Sequence, residues 1–391
     1  MRIGIASLGR VAEDTGGRNY LVHFVEELVR QHPPHEFVLF LSEGEHEALG
    51  LPSDASIRVI TIPNSKRTPL HKVIGEQIKL SAAIRLGKID VMYYPGNFVA
   101  LTSRTPAVLA IRSAAHFYGA KYGIRGVRRI VRSLLMPPSA RNARAIITPS
   151  DDIKQDVIRF TGAPASKIHV IPHGVDLALF DGDQNRMSAE GLAVLSRFGL
   201  APKSYLLYAS ALWRYKNQDQ LIRAHAILVA EGYPHLKLVL AGKGTGTERE
   251  YIASLHSLTR SLGTEDLVIF TGGLAQQDLR YLYAHARAFV FPSSYESFGN
   301  PIFEAWASGV PVATANVHSF PEIVGDAGLL FDPTSVEDIA RTLRLLLEDD
   351  ALATQLIARG AHRAEEFTWS RTVERTLRLI ENVSNSRPKM E

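Results

Sequence analysis

The sequence predicts an α/β protein with two domains, each built on a doubly wound parallel sheet that helices cover on both faces. Two observations carry this prediction. Short apolar, β-branched runs alternate with amphipathic stretches of helical period, as in parallel sheets packed between helices. The chain also has 391 residues, which is too long for one ordinary hydrophobic core and suits two.

The apolar runs predict strands in both halves of the chain, and the amphipathic stretches predict the helices between them. The first-half strands are 2–7, 36–42, 57–62, 90–94, 107–112, 145–148 and 168–171. The second-half strands are 204–210, 236–241, 267–271, 288–291, 311–314 and 328–331. The helices are 17–31, 70–87, 124–135, 150–161, 217–231, 248–262, 275–285, 301–308, 335–348, 351–366 and 368–382.

The alternation pauses once, in a polar stretch without a predicted strand that ends shortly before the strand at 204–210. We therefore place the first domain at 1–180, a linker at 181–200 and the second domain at 201–366. Residues 367–391 contain the last helix, which can pack back on the first domain or stay with the second. Ligands of such sheets bind beyond the carboxyl ends of the strands, so we expect a cleft there.

Composition excludes several classes of function. The sequence has no cysteine, so disulfides, thiolate zinc sites and cysteine nucleophiles are excluded. No apolar run reaches the length of a membrane-spanning helix, and the start of the chain resembles a strand rather than a signal peptide. We therefore expect a cytoplasmic protein.

Charge is distributed unevenly along the chain. Residues 1–180 contain 23 Lys and Arg against 15 Asp and Glu, whereas the remainder contains 21 against 25. The basic first half favours an anionic partner, and nucleic acid, a phosphate-bearing substrate and a membrane surface all satisfy that condition.

The strongest functional motif is the stretch Phe291–Ala305, in which a predicted strand leads through a loop into a helix that begins near Pro301. Gly299 precedes this helix, whose N-terminal N–H groups can bind phosphate. Glu296 lies in the loop and Glu304 one turn into the helix, so both can accept hydrogen bonds from sugar hydroxyls. Either glutamate alone could be a solvated charge or a helix-dipole partner, but the whole string favours a binding site.

A second motif places two cations after the strand that ends at Tyr208. Lys216 can neutralise a diphosphate as a point charge, and Arg214 can donate two hydrogen bonds to it. An ordinary basic loop is the alternative. Two glycine turns, Gly16-Gly17 and Gly242–Gly246, also follow predicted strands and are candidate phosphate or nucleotide contacts, although such turns are common.

Two further features leave their roles open. His173, in the stretch Pro172–Asp176, should line the cleft and could be structural or catalytic. The basic, amphipathic stretch from Lys121 to Leu135 is either a surface helix with one buried face or a patch for membrane or lipid phosphate.

Together these motifs resemble glycosyltransferase family 4. The resemblance rests on Glu296-x7-Glu304, Gly309–Val312, Phe270–Gly273, Phe320–Ile323 and Gly328–Pro333, and in the first half on Gly16-Gly17 and Pro172–Asp176. It implies the GT-B fold, in which two Rossmann-like domains face each other across a cleft. It also implies transfer with retention of configuration, no metal and no cofactor, since the nucleotide-diphosphate sugar is a co-substrate.

The resemblance assigns roles to residues of both halves. Glu296 and the backbone of Phe298, Gly299, Asn300 and Pro301 would hold the donor sugar. Glu304 would bind the ribose hydroxyls, while Lys216 and Arg214 would stabilise the diphosphate as it leaves. Gly16 and Gly17 would flank the phosphates, and Gly242 is a further candidate nucleotide contact. A metal-free reaction fits the sequence, because its Asp181-Gly182-Asp183 pair lies in the predicted linker.

Two positions depart from the family pattern. The family usually has an arginine five residues before the lysine, where this sequence has Ala211, and Arg214 is the candidate replacement. The family often has a His-Asp pair after the strand at 107–112, where this sequence has Arg112-Ser113, with His116 nearby. Either Arg112 or His116 can take the sugar-facing role, and His116 is a candidate catalytic residue.

The expected function is therefore transfer of a hexose from a UDP- or GDP-sugar to a glycan or lipid-linked acceptor, in polysaccharide or glycolipid biosynthesis. We expect a cytoplasmic protein, with the basic helix as a potential peripheral contact with the anionic inner membrane face. A sugar-nucleotide epimerase of the same fold and a non-catalytic GT-B subunit remain alternatives. Nucleic-acid binding is disfavoured, because the basic patch lacks interleaved aromatic residues and a binding motif.

Overall fold

The structure is a computed structural model that describes residues 1–6, 15–52, 54, 56–63, 69–122, 126–244 and 248–385. The chain divides into two compact units. The first consists of Met1–Gly119, Ile124–Gly174 and Phe367–Glu391, and the second of Ala120–Gly123 and Val175–Glu366.

The first unit contains a parallel sheet of seven strands. They are β1 (Arg2–Ala6), β2 (Glu36–Ser42), β3 (Ile57–Ile62), β4 (Val91–Tyr94), β5 (Ala107–Ala110), β6 (Ala145–Thr148) and β7 (Ile168–Val170). Their order is β3-β2-β1-β4-β5-β6-β7, and neighbouring strands run parallel. The helices of this half are α1 (Thr15–Gln31), α2 (Glu45–Leu49), α3 (Pro69–Leu86), α4 (Ala115–Tyr118), α5 (Val127–Asn142) and α6 (Asp151–Thr161).

The second unit contains a parallel sheet of six strands in the order β10-β9-β8-β11-β12-β13. They are β8 (Tyr205–Ala209), β9 (Lys237–Ala241), β10 (Val268–Gly272), β11 (Ala288–Phe291), β12 (Val312–Ala315) and β13 (Leu329–Phe331). Its helices are α7 (Gly182–Arg186), α8 (Ala189–Arg197), α9 (Gln218–Ala230), α10 (Arg249–Ser261), α11 (Gln276–His285), α12 (Asn300–Ala307), α13 (Phe320–Val324), α14 (Val336–Glu348) and α15 (Asp350–Ala364).

The last helix, α16 (Trp369–Asn385), belongs to the first unit. Its buried residues Val373, Leu377 and Ile380 repeat at helical spacing and join the core that α1 forms with the sheet. Within the part of the chain that the structure describes, no helix has both the length and the apolar character needed to cross a bilayer.

The predicted fold class is confirmed, and each predicted strand coincides with a strand of the structure. Every residue of β5, β8, β11 and β12 is buried. Parallel strands covered on both faces need continuous apolar runs, which is why the sequence pattern located them.

The stretch predicted as a linker, 181–200, folds instead as α7 and α8, which pack against α11 in the second unit. The side chain of Asp181 caps α7 by accepting hydrogen bonds from the backbone N–H groups of Asp183 and Gln184. The chain passes from the first unit to the second between Gly174 and Val175, ahead of the predicted boundary. The two helices have five and nine residues, which are too few turns to show a clear period in the sequence.

The order of strands reverses at one place in each sheet, between β1 and β4 and between β8 and β11. At such a switch point the loops that follow the two central strands diverge and leave a crevice for a ligand. In the second unit these loops are the cationic loop after β8 and the glutamate loop after β11, so the fold brings the two strongest motifs together.

Candidate active site

An ion pair links the two loops at the switch point of the second sheet. Lys216 ends a short 3₁₀ turn after β8, and its ammonium group pairs with the carboxylate of Glu296 in the loop between β11 and α12. Lys216 is only 5% exposed, and its Nζ lies 5.2 Å and 5.0 Å from the ring centroids of Tyr215 and Phe291. A buried cation with one carboxylate partner at a strand's carboxyl end can neutralise an anionic ligand.

Hydrogen bonds from neighbouring loops fix the backbone around Glu296. The N–H of Ser294 donates to the carbonyl of Tyr215 at 2.8 Å, and Ser293 Oγ donates to the carbonyl of Tyr295 at 2.8 Å. Ser319 Oγ, in the loop after β12, donates to the carbonyl of Glu296 at 2.9 Å. The glutamate is therefore held by contacts with the loops that follow β8 and β12.

The N-terminus of α12 lies directly after this loop. Gly299 adopts φ +89, and a Cβ there would lie 3.1 Å from Ile302 and 3.3 Å from Phe320. Pro301 occupies the first turn of α12, and no side chain among the described residues caps the start of Asn300–Ala307. Pro301 has no N–H, and the N–H of Ile302 donates to the carbonyl of Gly299 at 3.0 Å, so the N–H of Asn300 is the group at the helix start that suits an anion.

The aromatic residue before Gly299 has a structural side chain. Phe298 is 3% exposed, and its ring stacks on that of Phe303 at 5.1 Å between centroids. Any contact of Phe298 with a ligand therefore falls to its backbone, as the resemblance implied.

Glu304 lies on α12, one turn after Pro301. Part of the residue is accessible to solvent, but protein encloses the carboxyl group, and this burial raises its pKa to about 7. The hydroxyl of Tyr283, on the buried face of α11, opposes that rise in pKa. A carboxyl group with a pKa near neutrality can accept a hydrogen bond from a ribose hydroxyl once it is ionised.

Arg214 takes a different position from Lys216. Its side chain is exposed, and the guanidinium carbon lies 4.9 Å from the ring centroid of Tyr251 on α10. The hydroxyl of Tyr251 in turn lies 2.9 Å and 3.0 Å from side-chain oxygens of Gln218 and Asp219 at the start of α9, and its one proton is shared between these acceptors. A role for Arg214 at the diphosphate stays a prediction.

Gly242 supports the cationic loop through its missing side chain. A Cβ at this position would lie 1.8 Å from the carbonyl oxygen of Ser210, so only glycine lets the loop after β9 approach the loop after β8. The N–H of Ser210 also donates to the carbonyl of Ala241 at 3.0 Å. A direct nucleotide contact of Gly242 stays a prediction, and residues 245–247 of this glycine turn lie outside the described residues.

Gly16 and Gly17, in the first unit, lie inside the first turn of α1, which begins at Thr15. We predicted them ahead of a helix that began at residue 17, so the helix starts earlier than expected. Residues 7–14, which precede them, lie outside the described residues. Contact of these glycines with a phosphate stays a prediction.

His116 is buried on the short helix α4, with 5% exposure. Burial lowers its pKa to about 4, and the charges of Arg132 and Arg129 add to this effect, so the ring is neutral near pH 7. Its Nε2 has no hydrogen-bond partner among the described residues, and the ring lies 4.3 Å from that of Phe117. A neutral, unpaired nitrogen can exchange a proton with a ligand, but that role stays a prediction.

Arg112 and His173 meet at the carboxyl edge of the first sheet around Tyr20, which the sequence did not single out. The Arg112 guanidinium carbon lies 5.3 Å from the Tyr20 ring centroid, and the His173 ring lies 5.0 Å from it. The hydroxyls of Tyr20 and Tyr93 are 2.7 Å apart. Burial, followed by the charge of Arg112, lowers the pKa of His173 to about 3. The sequence offered one signal for this aromatic cluster, which is the position of Tyr93 at the end of a predicted strand.

Comparison with protein families matches both halves of the chain. Residues 15–179 match the model described as Glycosyltransferase Family 4, and residues 198–363 match the model described as Glycosyl transferases group 1.

Several curated proteins are similar in sequence. The O-antigen chain mannosyltransferase B of Escherichia coli is 35% identical over 289 residues, which are 74% of this chain and 73% of that protein. The D-inositol 3-phosphate glycosyltransferase of Kineococcus radiotolerans is 32% identical over 63% of this chain and 58% of its own length. The serotype-specific mannosyltransferase WbdA of Escherichia coli is 31% identical over 61% of this chain, which corresponds to only 29% of WbdA.

Solved structures share the fold over nearly the whole chain. The Anabaena protein HepE, in complex with UDP and glucose, superposes with a TM-score of 0.75 at 21% identity, covering 98% of this chain and 100% of that one. Sucrose-phosphate synthase from Thermosynechococcus elongatus superposes with a TM-score of 0.76 at 20% identity, covering 99% and 100%.

Two Rossmann-like units, a cation–carboxylate pair at a switch point and these neighbours define a glycosyltransferase of the GT-B fold. The chain belongs to glycosyltransferase family 4, which confirms the resemblance seen in the sequence.

Proposed function

We propose that this glycosyltransferase moves a hexose from a nucleotide-diphosphate sugar to a glycan or lipid-linked acceptor, with retention of configuration and without a metal. The observation that carries the proposal is the buried Lys216–Glu296 pair, which lies at the switch point beside the uncapped start of α12. A point cation and a helix N-terminus suit a diphosphate, and a carboxylate suits sugar hydroxyls.

We propose mannose as the transferred sugar, in the assembly of a polysaccharide or glycolipid. The support comes from relatives: mannosyltransferase B and WbdA of Escherichia coli are both named for mannose transfer. HepE was solved with UDP and glucose, so a uridine nucleotide must be tested beside a guanosine nucleotide. The base therefore stays open between GDP and UDP.

In the proposed reaction the diphosphate displaces Glu296 from Lys216. The lysine exchanges its carboxylate partner for phosphate oxygens, and the freed carboxylate accepts hydrogen bonds from the donor sugar. Glu304, one turn into α12, binds the ribose hydroxyls in its ionised form. Binding of the donor thus gives Lys216 a new anionic partner and gives the Glu296 carboxylate hydrogen-bond donors, so neither charged group is left without a partner.

The transfer step follows from this arrangement. The acceptor hydroxyl attacks the anomeric carbon on the face from which the diphosphate leaves, and the bond between that carbon and the phosphate oxygen breaks. The acceptor's proton passes to the departing phosphate oxygen, so the products are a glycoside and a nucleoside diphosphate. Lys216 and the N–H of Asn300 at the start of α12 stabilise the charge that develops on the leaving group.

A donor panel tests this function. We expect the purified protein to release GDP from GDP-mannose, or UDP from a UDP-hexose, when a mannose-bearing acceptor is present. We expect the new bond to have the donor's anomeric configuration by proton NMR, and the rate to be unchanged by EDTA. An isomerised nucleotide sugar formed without acceptor would indicate an epimerase instead. A product of inverted configuration would contradict retention.

We further propose that α5 contacts an anionic membrane surface. Ile130 and Leu134 are 56% and 69% exposed, and Arg141 is also exposed on the same helical face. Residues 101–150 contain nine Lys and Arg and no Asp or Glu. An apolar stripe in a basic region favours anionic lipid headgroups.

Flotation with vesicles tests the membrane proposal. We expect the protein to float with vesicles that contain phosphatidylglycerol, and not with vesicles of phosphatidylcholine alone. Replacement of Ile130 and Leu134 by serine should abolish flotation, whereas the same change at the exposed Leu192 on α8 should not. Flotation that survives the double replacement would contradict a role for α5.

A further inference from the structure

A tyrosine from the first half of the chain belongs to the donor half-site of the second unit. Tyr122 ends the 3₁₀ turn Gly119–Tyr122, and the segment Ala120–Gly123 belongs to the second unit although the chain on either side of it belongs to the first. Tyr122 is only 4% exposed. The buried ring of Tyr122 is therefore a part of the second unit.

The ring of Tyr122 touches both residues that precede the ion pair. Its centroid lies 6.0 Å from that of Tyr215, the neighbour of Lys216, and 5.1 Å from that of Tyr295, the neighbour of Glu296. Tyr122 therefore packs against both loops that meet at the switch point.

A hydrogen bond continues this contact to a third loop. The hydroxyl of Tyr122 and Nε2 of His318 are 2.9 Å apart, and the His318 ring lies 4.7 Å from that of Tyr295. His318 adopts φ +52, a left-handed conformation that few residues other than glycine adopt without support. The next residue, Ser319, donates its hydroxyl to the carbonyl of Glu296. The strained turn at His318 therefore connects Tyr122 with the backbone of the glutamate.

We infer that Tyr122 and His318 are positioning residues for the Lys216–Glu296 pair, which rests on the proposed role of that pair in binding the donor diphosphate. Tyr122 holds the loops after β8 and β11 at the separation at which the ammonium and carboxylate groups meet. His318 holds the loop after β12 so that Ser319 reaches the carbonyl of Glu296. The first half of the chain thus contributes to the donor half-site.

The alternative is that the aromatic cluster only adds stability to the second unit. The two roles differ in what they do to a ligand. A nucleoside monophosphate lacks the second phosphate that Lys216 is proposed to neutralise, whereas a nucleoside diphosphate carries it. A displaced ion pair should therefore weaken binding of the diphosphate selectively, while a general loss of stability should affect both ligands alike.

Titration calorimetry on the full chain tests the inference. The ligands are GDP and GMP, or UDP and UMP if the wild type prefers uridine. For Tyr122→Ala we expect the affinity for the diphosphate to fall about tenfold and that for the monophosphate by less than about twofold. Tyr233→Ala is the matched control. Tyr233 precedes β9, at the amino-terminal ends of the strands and away from the switch-point loops, and its hydroxyl bonds to Glu348. It should leave both affinities unchanged.

A milder pair of variants keeps the test valid if Tyr122→Ala does not fold. Tyr122→Phe keeps the ring and loses the hydroxyl that bonds to His318. His318→Asn loses the same bond from the other side and tolerates the left-handed backbone at this position. Each should lower affinity for the diphosphate about threefold to fivefold with the monophosphate unaffected. Equal losses for both ligands, or no loss for either, would overturn the inference while the proposed function stands. A wild type that binds neither diphosphate would overturn both.

Discussion

At the scale of single residues, Glu296 and Glu304 lie only eight positions apart but have different electrostatic surroundings. Glu296 forms an ion pair with the buried Lys216, whereas burial of the Glu304 carboxyl raises its pKa to about 7. Glu296 lies in the loop where we propose that the diphosphate and the sugar bind, whereas Glu304 lies one turn into α12. Substitutions at the two positions should therefore fail in different ways.

Glu304→Ala should weaken binding of the nucleoside diphosphate, because the ribose hydroxyls lose their acceptor. Glu296→Ala should mainly lower the transfer rate, by about a factor of 100, because its contact with the sugar matters most in the transition state. Calorimetry with GDP or UDP and steady-state kinetics on each variant measure the two effects. Equal effects of both variants on both quantities would contradict the assignment.

Nucleotide binding should also depend on pH through Glu304. Its folded pKa of about 7 lies above the ordinary 4.5, so below neutrality the carboxyl is increasingly protonated and accepts hydrogen bonds poorly. We expect wild-type affinity to fall as the pH is lowered from 8 to about 6, by up to about tenfold for each unit below the pKa. Glu304→Gln should lack this fall in affinity, because a glutamine side chain does not titrate. The nucleotide's own phosphate titrates equally in both proteins, so identical pH profiles would contradict the role.

The sequence located Lys216, Glu296 and Glu304 because their motifs follow strands, but it did not single out Tyr122, His318 or Tyr20. These residues lie in or beside stretches that were noted for other residues, and only tertiary contacts bring the aromatic rings to the strand ends. The sequence also did not predict the exposed position of Arg214 over Tyr251, because a side chain's direction depends on neighbours far along the chain.

At the scale of elements, the junction between β11 and α12 is the part of the site whose conformation depends most on one residue type. Gly299 adopts φ +89 at this junction, where a side chain would be strained and would press on Ile302 and Phe320. The helix start that follows is the proposed anion site, so any shift of this backbone moves it.

Gly299→Ala should lower the free energy of unfolding by about 1 to 3 kcal/mol and should also weaken diphosphate binding. Gly263→Ala is the matched control, because Gly263 has φ +65 after α10 with open space around it. The control should show a comparable loss of stability through backbone strain and no loss of binding. Denaturant unfolding and calorimetry measure the two quantities, and intact binding in Gly299→Ala would argue against the helix start as the anion site.

The elements that sequence reasoning missed have identifiable physical reasons. Helix α5 was predicted to end at residue 135 because prolines disfavour helix interiors, yet it continues through Pro137 and Pro138 to Asn142. Helices α7 and α8 were taken for a linker because helices of five and nine residues have too few turns to show a clear periodicity. The buried strands were predicted well because continuous apolar runs mark strands that are covered on both faces.

At the scale of the whole molecule, the two units were predictable in kind but not in their boundaries. The chain enters the second unit at Val175 and returns to the first at Phe367. The short segment Ala120–Gly123 also belongs to the second unit. Such crossings depend on contacts between residues distant in sequence, which local patterns do not reveal. The apolar stripe of α16 showed only that this helix needed a partner surface.

The central claim is that the switch point of the second unit binds a nucleoside diphosphate through Lys216. Calorimetric titration of wild type, Lys216→Met and Lys237→Met with GDP and UDP tests it most directly, since Lys237 lies at the opposite end of the sheet, in β9. The account predicts binding of one diphosphate by wild type and by Lys237→Met, and a loss of at least about tenfold in Lys216→Met. Equal affinity in all three proteins, or none in wild type, would contradict it.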